Sequence, residues 1–376
     1  MSGGLSSPSP NVRREAPPSS VLVVVTRRIG DVLLATPLIR SIRQAWPGAA
    51  IDVLVFDGTQ GVIAANPDIR RIHVVPQRPG FLRHFAFVLR LARRYDIALS
   101  LVPGDRPTLY AFLAGRWRAG LLLDTPKERW KRRFLNRWLP FDECNTHTVR
   151  MHLALAGVLG IVARSEVVVS WRTEDEQRID KLLASDHPQP LAVLHTYPQF
   201  NYKMWHREGW IEVARWLTAH GLRLALSGSG DPDEVAYVGA LAQHLPPDTL
   251  NLAGTLTLSA AGCLLSRARL YVGPDTALTH MAAGLGVPTV AFYGPTDPVK
   301  WGPWPNGYTR PGNSWRRLGS QAVERVRLIQ GDASCVPCLK EGCERHINSY
   351  SDCLQQLPAA KIIAAIENVL GPTAHA

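Results

Sequence analysis

No apolar run in this sequence is long enough to cross a bilayer. The longest, over residues 21–25 and 285–292, are too short or too broken by glycine and proline, so no transmembrane helix is expected. The first twenty residues, MSGGLSSPSPNVRREAPPSS, lack the continuous apolar core of an export signal. They are rich in Ser, Pro and Gly and read as a disordered tail over residues 1–20, so the chain is expected to stay in the cytoplasm. No RNP, zinc-finger or basic-zipper pattern is present, which sets nucleic acid aside as a partner despite a net charge of +11. That charge instead favours an anionic membrane surface or a phosphorylated substrate. Cysteine is scarce, six in all, and two regular C-x2-C knuckles do not occur. Cys144 and Cys263 stand alone and read as buried or inert. Cys335, Cys338, Cys343 and Cys353, with His346 nearby, have the spacing C-x2-C-x4-C-x9-C. In a reducing compartment this leaves open a structural zinc site, while a catalytic metal is not expected.

What is present is an alternation of short buried strands and helices, over a length that suits two domains. An all-apolar strand at residues 21–25 meets a polar turn at residues 26–31, then an amphipathic helix ending near Trp46-Pro47-Gly48, then a strand at residues 51–56. Further strands are expected at residues 72–75, 97–102 and 119–123, with a helix at residues 82–94. KERWKRRFLNRW, residues 127–138, would put Trp130, Phe134 and Trp138 on one helical face amid basic side chains. That pattern fits an anionic membrane contact or an ordinary amphipathic helix. A second α/β pattern follows the charged run RTEDEQRIDKLL, with strands at residues 191–195, 222–227, 249–252, 270–272 and 289–293 and a terminal amphipathic helix at residues 359–370. Two similar halves imply two Rossmann-like domains, with ligands beyond the carboxyl ends of the strands.

The segments that can hold chemistry follow strands. In YVGPDTALTHMAAGLGVPTVAFYGPTDP, residues 271–298, Asp275 or Thr276 is placed to cap a helix whose amide groups and positive dipole end form a seat for phosphate. SGSGD at residues 227–231 lets backbone approach a nucleotide without forming a complete dinucleotide fingerprint. In TRRIGD, residues 26–31, Asp31 can point a carboxylate at a ligand or cap the helix that follows, and Arg27 and Arg28 can bind anions or stay solvated.

VVVTRRIGDVLLATPLIRSIRQAWPGAAIDVLV, HTYPQFNYKMWHREGW and DTALTHMAAGLGVPTVAFYGPTDP, in that order and spacing, resemble the bacterial heptosyltransferases of glycosyltransferase family nine. The resemblance implies a GT-B fold, two Rossmann-like parallel-sheet domains facing across a cleft. The acceptor domain would cover residues 21–175 and the ADP-sugar domain residues 185–357, with a terminal helix in residues 358–376 packing back on the first domain. It further implies an inverting transfer of heptose from ADP-heptose to a lipid A-core acceptor of the lipopolysaccharide of a Gram-negative envelope. The reaction would run at the inner face of the inner membrane, with peripheral membrane contact and no cofactor. By the same resemblance Asp31 is the general base, and Thr196, Lys203, Asp275, Thr276, Ala277 and His280 hold the donor, with His195 and the SGSGD loop close by. Arg27, Arg28 and Gly30 would hold the acceptor. The usual family pattern has Gly where this chain has Ala277, so a positive φ there would shift the donor contact. A related enzyme with another donor, an epimerase, and a non-catalytic sugar-nucleotide or envelope-lipid binding protein are the alternatives.

Overall fold

The computed structural model describes residues 16–78, 81–184 and 189–371, with the side chains of residues 81–85 left aside. Most of the expected N-terminal tail, residues 1–15, lies outside the described residues, and Ser20 already opens the first strand. The chain divides into two compact units. One holds the described residues up to Gln60 with Pro67–Asp142 and Val149–Ser165; the other holds Gly61–Asn66, Glu143–Thr148 and the described residues from Glu166 onward.

The first unit runs β1 (Ser20–Val24), α1 (Ile29–Leu33), α2 (Thr36–Ala45), β2 (Ala50–Phe56), β3 (Arg71–Val75), α3 (Phe81–Leu91), β4 (Tyr95–Ser100), α4 (Asp105–Ala114), β5 (Gly115–Leu122), a 3-10 helix (Pro126–Phe134), β6 (Arg137–Pro140) and α5 (Thr148–Leu159). Its six strands are all parallel, in the order β3-β2-β1-β4-β5-β6. Val21 to Val24 of β1 are wholly buried, as a central strand covered on both faces requires. Pro37 sits in the first turn of α2, where a missing N–H costs nothing.

The second unit runs α6 (Thr173–Leu183), β7 (Leu191–His195), a 3-10 turn (Asn201–Lys203), α7 (Arg207–Ala219), β8 (Arg223–Ser227), α8 (Pro232–Ala242), β9 (Leu250–Asn251), α9 (Leu258–Ser266), β10 (Ala268–Pro274), α10 (Ala277–Leu285), β11 (Thr289–Tyr293), α11 (Pro298–Trp301), β12 (Gln321–Val323), β13 (Val326–Gln330), α12 (Asp352–Gln355) and α13 (Ala359–Leu370). The strand order is β12-β13-β11-β10-β7-β8-β9, and only the β12 and β13 pairing is antiparallel. Asp231 caps α8 and Thr257 caps α9 through their side chains, and Gly286 at φ 76° ends α10 in the left-handed conformation that glycine adopts without strain. Trp205, Trp210 and Phe292 pack together at centroid separations of 5.1 to 5.3 Å in the middle of this unit's core.

In both sheets the strand order reverses beside the first strand, between β1 and β4 and between β7 and β10. Within each sheet, taken by itself, the carboxyl ends of these strands mark the switch point at which open α/β sheets hold ligands. Among the described residues no helix is long and apolar enough to cross a membrane.

One sequence expectation changes. Residues 127–138 do not form one helix: a 3-10 helix ends at Phe134 and Trp138 lies in β6. Pairing with β5 outweighs the amphipathic pattern, since the Asn136 amide donates to the Arg118 carbonyl (2.9 Å) and the Arg118 amide to Asn136 Oδ1 (2.9 Å). Trp130 is half exposed, Phe134 packs edge-on against Phe112, and the Arg132 guanidinium lies 3.9 Å from the Trp138 ring centroid. Lys131 is buried against Asp105 (2.6 Å) and Glu128 (2.5 Å), so its charge is already matched. The terminal helix α13 seats an apolar face in the second unit. Ile362 and Ile366 are fully buried there, and α13 packs on α7, β11 and β13.

Candidate functional site

The carboxyl ends of β7 and β10 bring together side chains that are far apart in sequence. Asp275 follows Pro274, the last residue of β10, and is buried. Lys203, at the end of the 3-10 turn after β7, donates from Nζ to Asp275 Oδ2 (2.5 Å) and to the Asp275 carbonyl (3.1 Å). The Tyr293 hydroxyl, at the end of β11, donates to Asp275 Oδ1 (3.3 Å), and His280 Nε2 lies 3.6 Å from the same oxygen. Burial by itself would raise the Asp275 carboxyl, but Lys203 and His280 hold it well below the usual carboxylate range. Burial and the neighbouring Asp275 charge push the Tyr293 phenol well above its ordinary value, so it stays a donor.

The α10 entry differs from the capping expected of Asp275 or Thr276. Thr276 is the N-cap residue, yet no side chain caps the helix; its hydroxyl lies 3.3 Å from the Thr279 hydroxyl. Asp275 is engaged by Lys203, Tyr293 and His280 instead. Ala277 is the first helical residue and is absent from the residues with positive φ, so the methyl meets no backbone strain there. Thr279 bonds the Tyr271 hydroxyl (3.0 Å) and the Pro274 carbonyl, fixing the helix start to β10. Gly273 leaves the space that the Tyr271 ring occupies; a Cβ there would collide with the Tyr271 hydroxyl.

Beside this cluster, His195 Nδ1 lies 3.2 Å from Ser227 Oγ, and burial pushes its imidazole below the ordinary value. Thr196 Oγ1 and His280 Nδ1 are buried with no hydrogen-bond partner among the described residues, a costly state that a polar ligand would relieve. In the SGSGD loop, Ser229 donates to Glu234 Oε2, while Glu234 Oε1 is buried and unpartnered, 3.0 Å from where a Gly228 Cβ would stand. Sequence reasoning missed Glu234, which reads as an ordinary first-turn acid of α8; its position behind a Gly-rich strand end is the one available signal.

In the first unit, Asp31 is the third residue of α1, after the turn that leaves β1. Its carboxylate is buried, with Arg27 Nε 3.7 Å away. It is not the N-cap residue, which is Arg28, and the Arg28 side chain makes no capping hydrogen bond. Gly30 lies within α1, and the Thr26 hydroxyl is buried without a partner among the described residues.

The cysteines do not come together as a metal centre. Cys335 and Cys343 are exposed, Cys338 is half-buried and Cys353 is buried. Burial, followed by the other three thiols, pushes the Cys353 thiol up to about 12. Among the described residues no group of three or more His, Cys, Asp or Glu side chains is arranged to hold an ion.

The model of glycosyltransferase family 9 (heptosyltransferase) matches residues 85–325. A lipopolysaccharide heptosyltransferase 3 of Escherichia coli is 26% identical over 91% of this chain and 96% of its own length. Among solved structures, a family 9 glycosyl transferase from Veillonella parvula superposes with a TM-score of 0.74 at 19% identity, covering 94% of this chain and 97% of its own. The E. coli heptosyltransferase WaaC with ADP gives a TM-score of 0.69 at 22% identity, covering 93% of this chain and 99% of its own. The fold is therefore the one these glycosyltransferases share.

Proposed function

The chain belongs to glycosyltransferase family 9, the heptosyltransferases, and from that premise we propose that it transfers heptose from ADP-heptose to a lipid A-core acceptor of lipopolysaccharide, with inversion at the anomeric carbon. The observation that carries this reading is the Lys203–Asp275 pair at the switch point of the second sheet, beside an uncapped helix start. The amides opening α10, from Ala277 onward and next to Thr276, receive the donor diphosphate. Lys203 offsets the charge that grows on ADP as the bond to the sugar breaks, and Asp275 holds that lysine in place. Thr196 and His280 donate to the donor through their unpartnered atoms, and Glu234 Oε1 accepts from a ribose hydroxyl.

Asp31 is the general base of this proposal. As the acceptor hydroxyl attacks the anomeric carbon, its proton passes to the Asp31 carboxylate and the electron pair of the broken C–O bond leaves with ADP. The side chains of Arg27 and Arg28 bind acidic groups of the acceptor, and Gly30 leaves room for its sugar. The chemistry needs no cofactor, and the acceptor places it at the inner face of the inner membrane.

Incubation of the full chain with ADP-heptose and truncated lipid A-core acceptors tests the reading through ADP release and product mass. One added heptose per ADP, with inverted anomeric configuration, is expected. Isomerised sugar nucleotide without ADP, or bound ADP-heptose that never turns over with any acceptor, would overturn it.

A further inference from the structure

The first unit carries a second concavity, at the opposite end of its sheet from Asp31. A cavity of about 470 Å³ opens among the amino ends of the strands, lined by Asp52, Arg70, Arg71, Arg90, Arg94 and Tyr95 among others. Asp52 is 1% exposed and forms the floor. It accepts from Arg70 Nε (2.9 Å) and Nη2 (2.7 Å) and from the Tyr95 hydroxyl (2.7 Å), with His73 Nε2 3.3 Å away. Burial by itself would raise the Asp52 carboxyl, but His73, Arg70 and Tyr95 hold it well below the usual range.

One buried negative charge therefore balances Arg70 and holds its planar fork in place. Arg71, Arg90 and Arg94 line the same cavity, and the side chain of none of them makes a hydrogen bond or ion pair with a described residue. Three guanidiniums lining one concavity without a carboxylate of their own among the described residues concentrate positive charge there, and an oxyanion carrying more than one charge balances it while satisfying planar donors. Leu91 and Phe87 give the cavity an apolar wall, and its volume is far larger than a phosphate ion, which fits an ester with an organic group attached.

We propose that this cavity binds a phosphate ester, as an anion site separate from the nucleotide seat of the second unit. The ester is borne either by a membrane lipid or by a soluble phosphorylated molecule; Leu89, 58% exposed beside Arg90 on α3, is an apolar contact of the kind a lipid surface takes. The site stands independently of the transfer reaction, since none of its residues belongs to the proposed machinery.

The test compares the full chain with the triple variant Arg71→Gln/Arg90→Gln/Arg94→Gln, all exposed positions, and with Arg215→Gln/Arg269→Gln/Arg325→Gln, which makes the same charge change on the second unit. Glycerol 3-phosphate is titrated calorimetrically, and sedimentation is measured with phosphatidylcholine vesicles with and without phosphatidylglycerol. The wild type and the second-unit variant should bind at least one of these probes, and the pocket variant should lose about a hundredfold in vesicle partition or about tenfold or more in ester affinity. Binding only to phosphatidylglycerol vesicles identifies a lipid-borne ester, and binding to glycerol 3-phosphate a soluble one. Should the triple variant not fold, Arg94→Gln alone is read by the salt dependence of binding, which must become shallower. No binding of either probe by the wild type, or equal losses in both triple variants, would overturn the proposal.

Discussion

Replacing Lys203 by methionine keeps the side-chain length and removes the charge opposite Asp275. Asp275 and Lys203 side chains are 7% and 16% exposed, so the lost partner is not replaced by free access of water. Removing one member of a buried ion pair costs about 3–5 kcal/mol. Because Asp275 keeps the Tyr293 hydroxyl and His280, the lower end, about 3 kcal/mol, is expected. The double variant Lys203→Met/Asp275→Asn removes the stranded charge as well and should return to within about 1 kcal/mol of wild type. Urea unfolding followed by tryptophan fluorescence reports on this unit, since Trp205 and Trp210 lie buried in its core. ADP affinity should fall about tenfold or more in both variants, because a charge-assisted bond to the diphosphate is lost in each. A single variant as stable as wild type, or a double variant whose loss is the sum of the single losses, would refute the argument that Lys203 and Asp275 act as a coupled buried pair.

Three further outcomes follow from the geometry. Ile366→Ala should cost about 2–5 kcal/mol and show as a lower urea midpoint, because the side chain is fully buried in the core of the second unit; no change would mean that α13 is not seated there. His195 is held below its ordinary value by burial, so between the unfolded value of about 6.5 and lower pH the unfolded chain binds a proton that the folded chain does not. Its contribution to stability is therefore complete above pH about 6.5 and declines below it, by at most about 1.4 kcal/mol per pH unit, and His195→Gln should flatten that slope in pH-dependent urea titrations. Gly273→Ala should force the Tyr271 ring aside and weaken both stability and ADP binding, checked by thermal melts and calorimetry; a neutral result would remove Tyr271 from the support of the α10 entry.

Much of the fold was legible because its strands are continuous apolar runs and its turns carry Gly, Pro, Ser and Asp, as at residues 21–31 and 271–298. Of the residues picked out from the sequence, Lys203, Asp275 and His280 do converge, since the segments after β7 and β10 meet beside the switch point. What failed depended on partners that no local pattern encodes. Four-residue spacing of Trp130, Phe134 and Trp138 looks helical, whereas hydrogen bonding of residue 136 to β5 draws the chain into an edge strand. The three-residue strand β12 is too brief to show a period. Asp52 lies inside an otherwise apolar strand, and only pairing of β2 with β3 and proximity to β4 gives it Arg70, His73 and Tyr95 as partners.

The most direct test of the catalytic account is the turnover of Asp31→Asn with ADP-heptose and a lipid A-core acceptor, measured alongside its ADP affinity and urea midpoint. Loss of the general base should lower kcat by about 10²- to 10⁴-fold while ADP binding and stability stay close to wild type. Near-normal kcat in this variant would contradict the assignment of Asp31 as the base and with it the proposed mechanism.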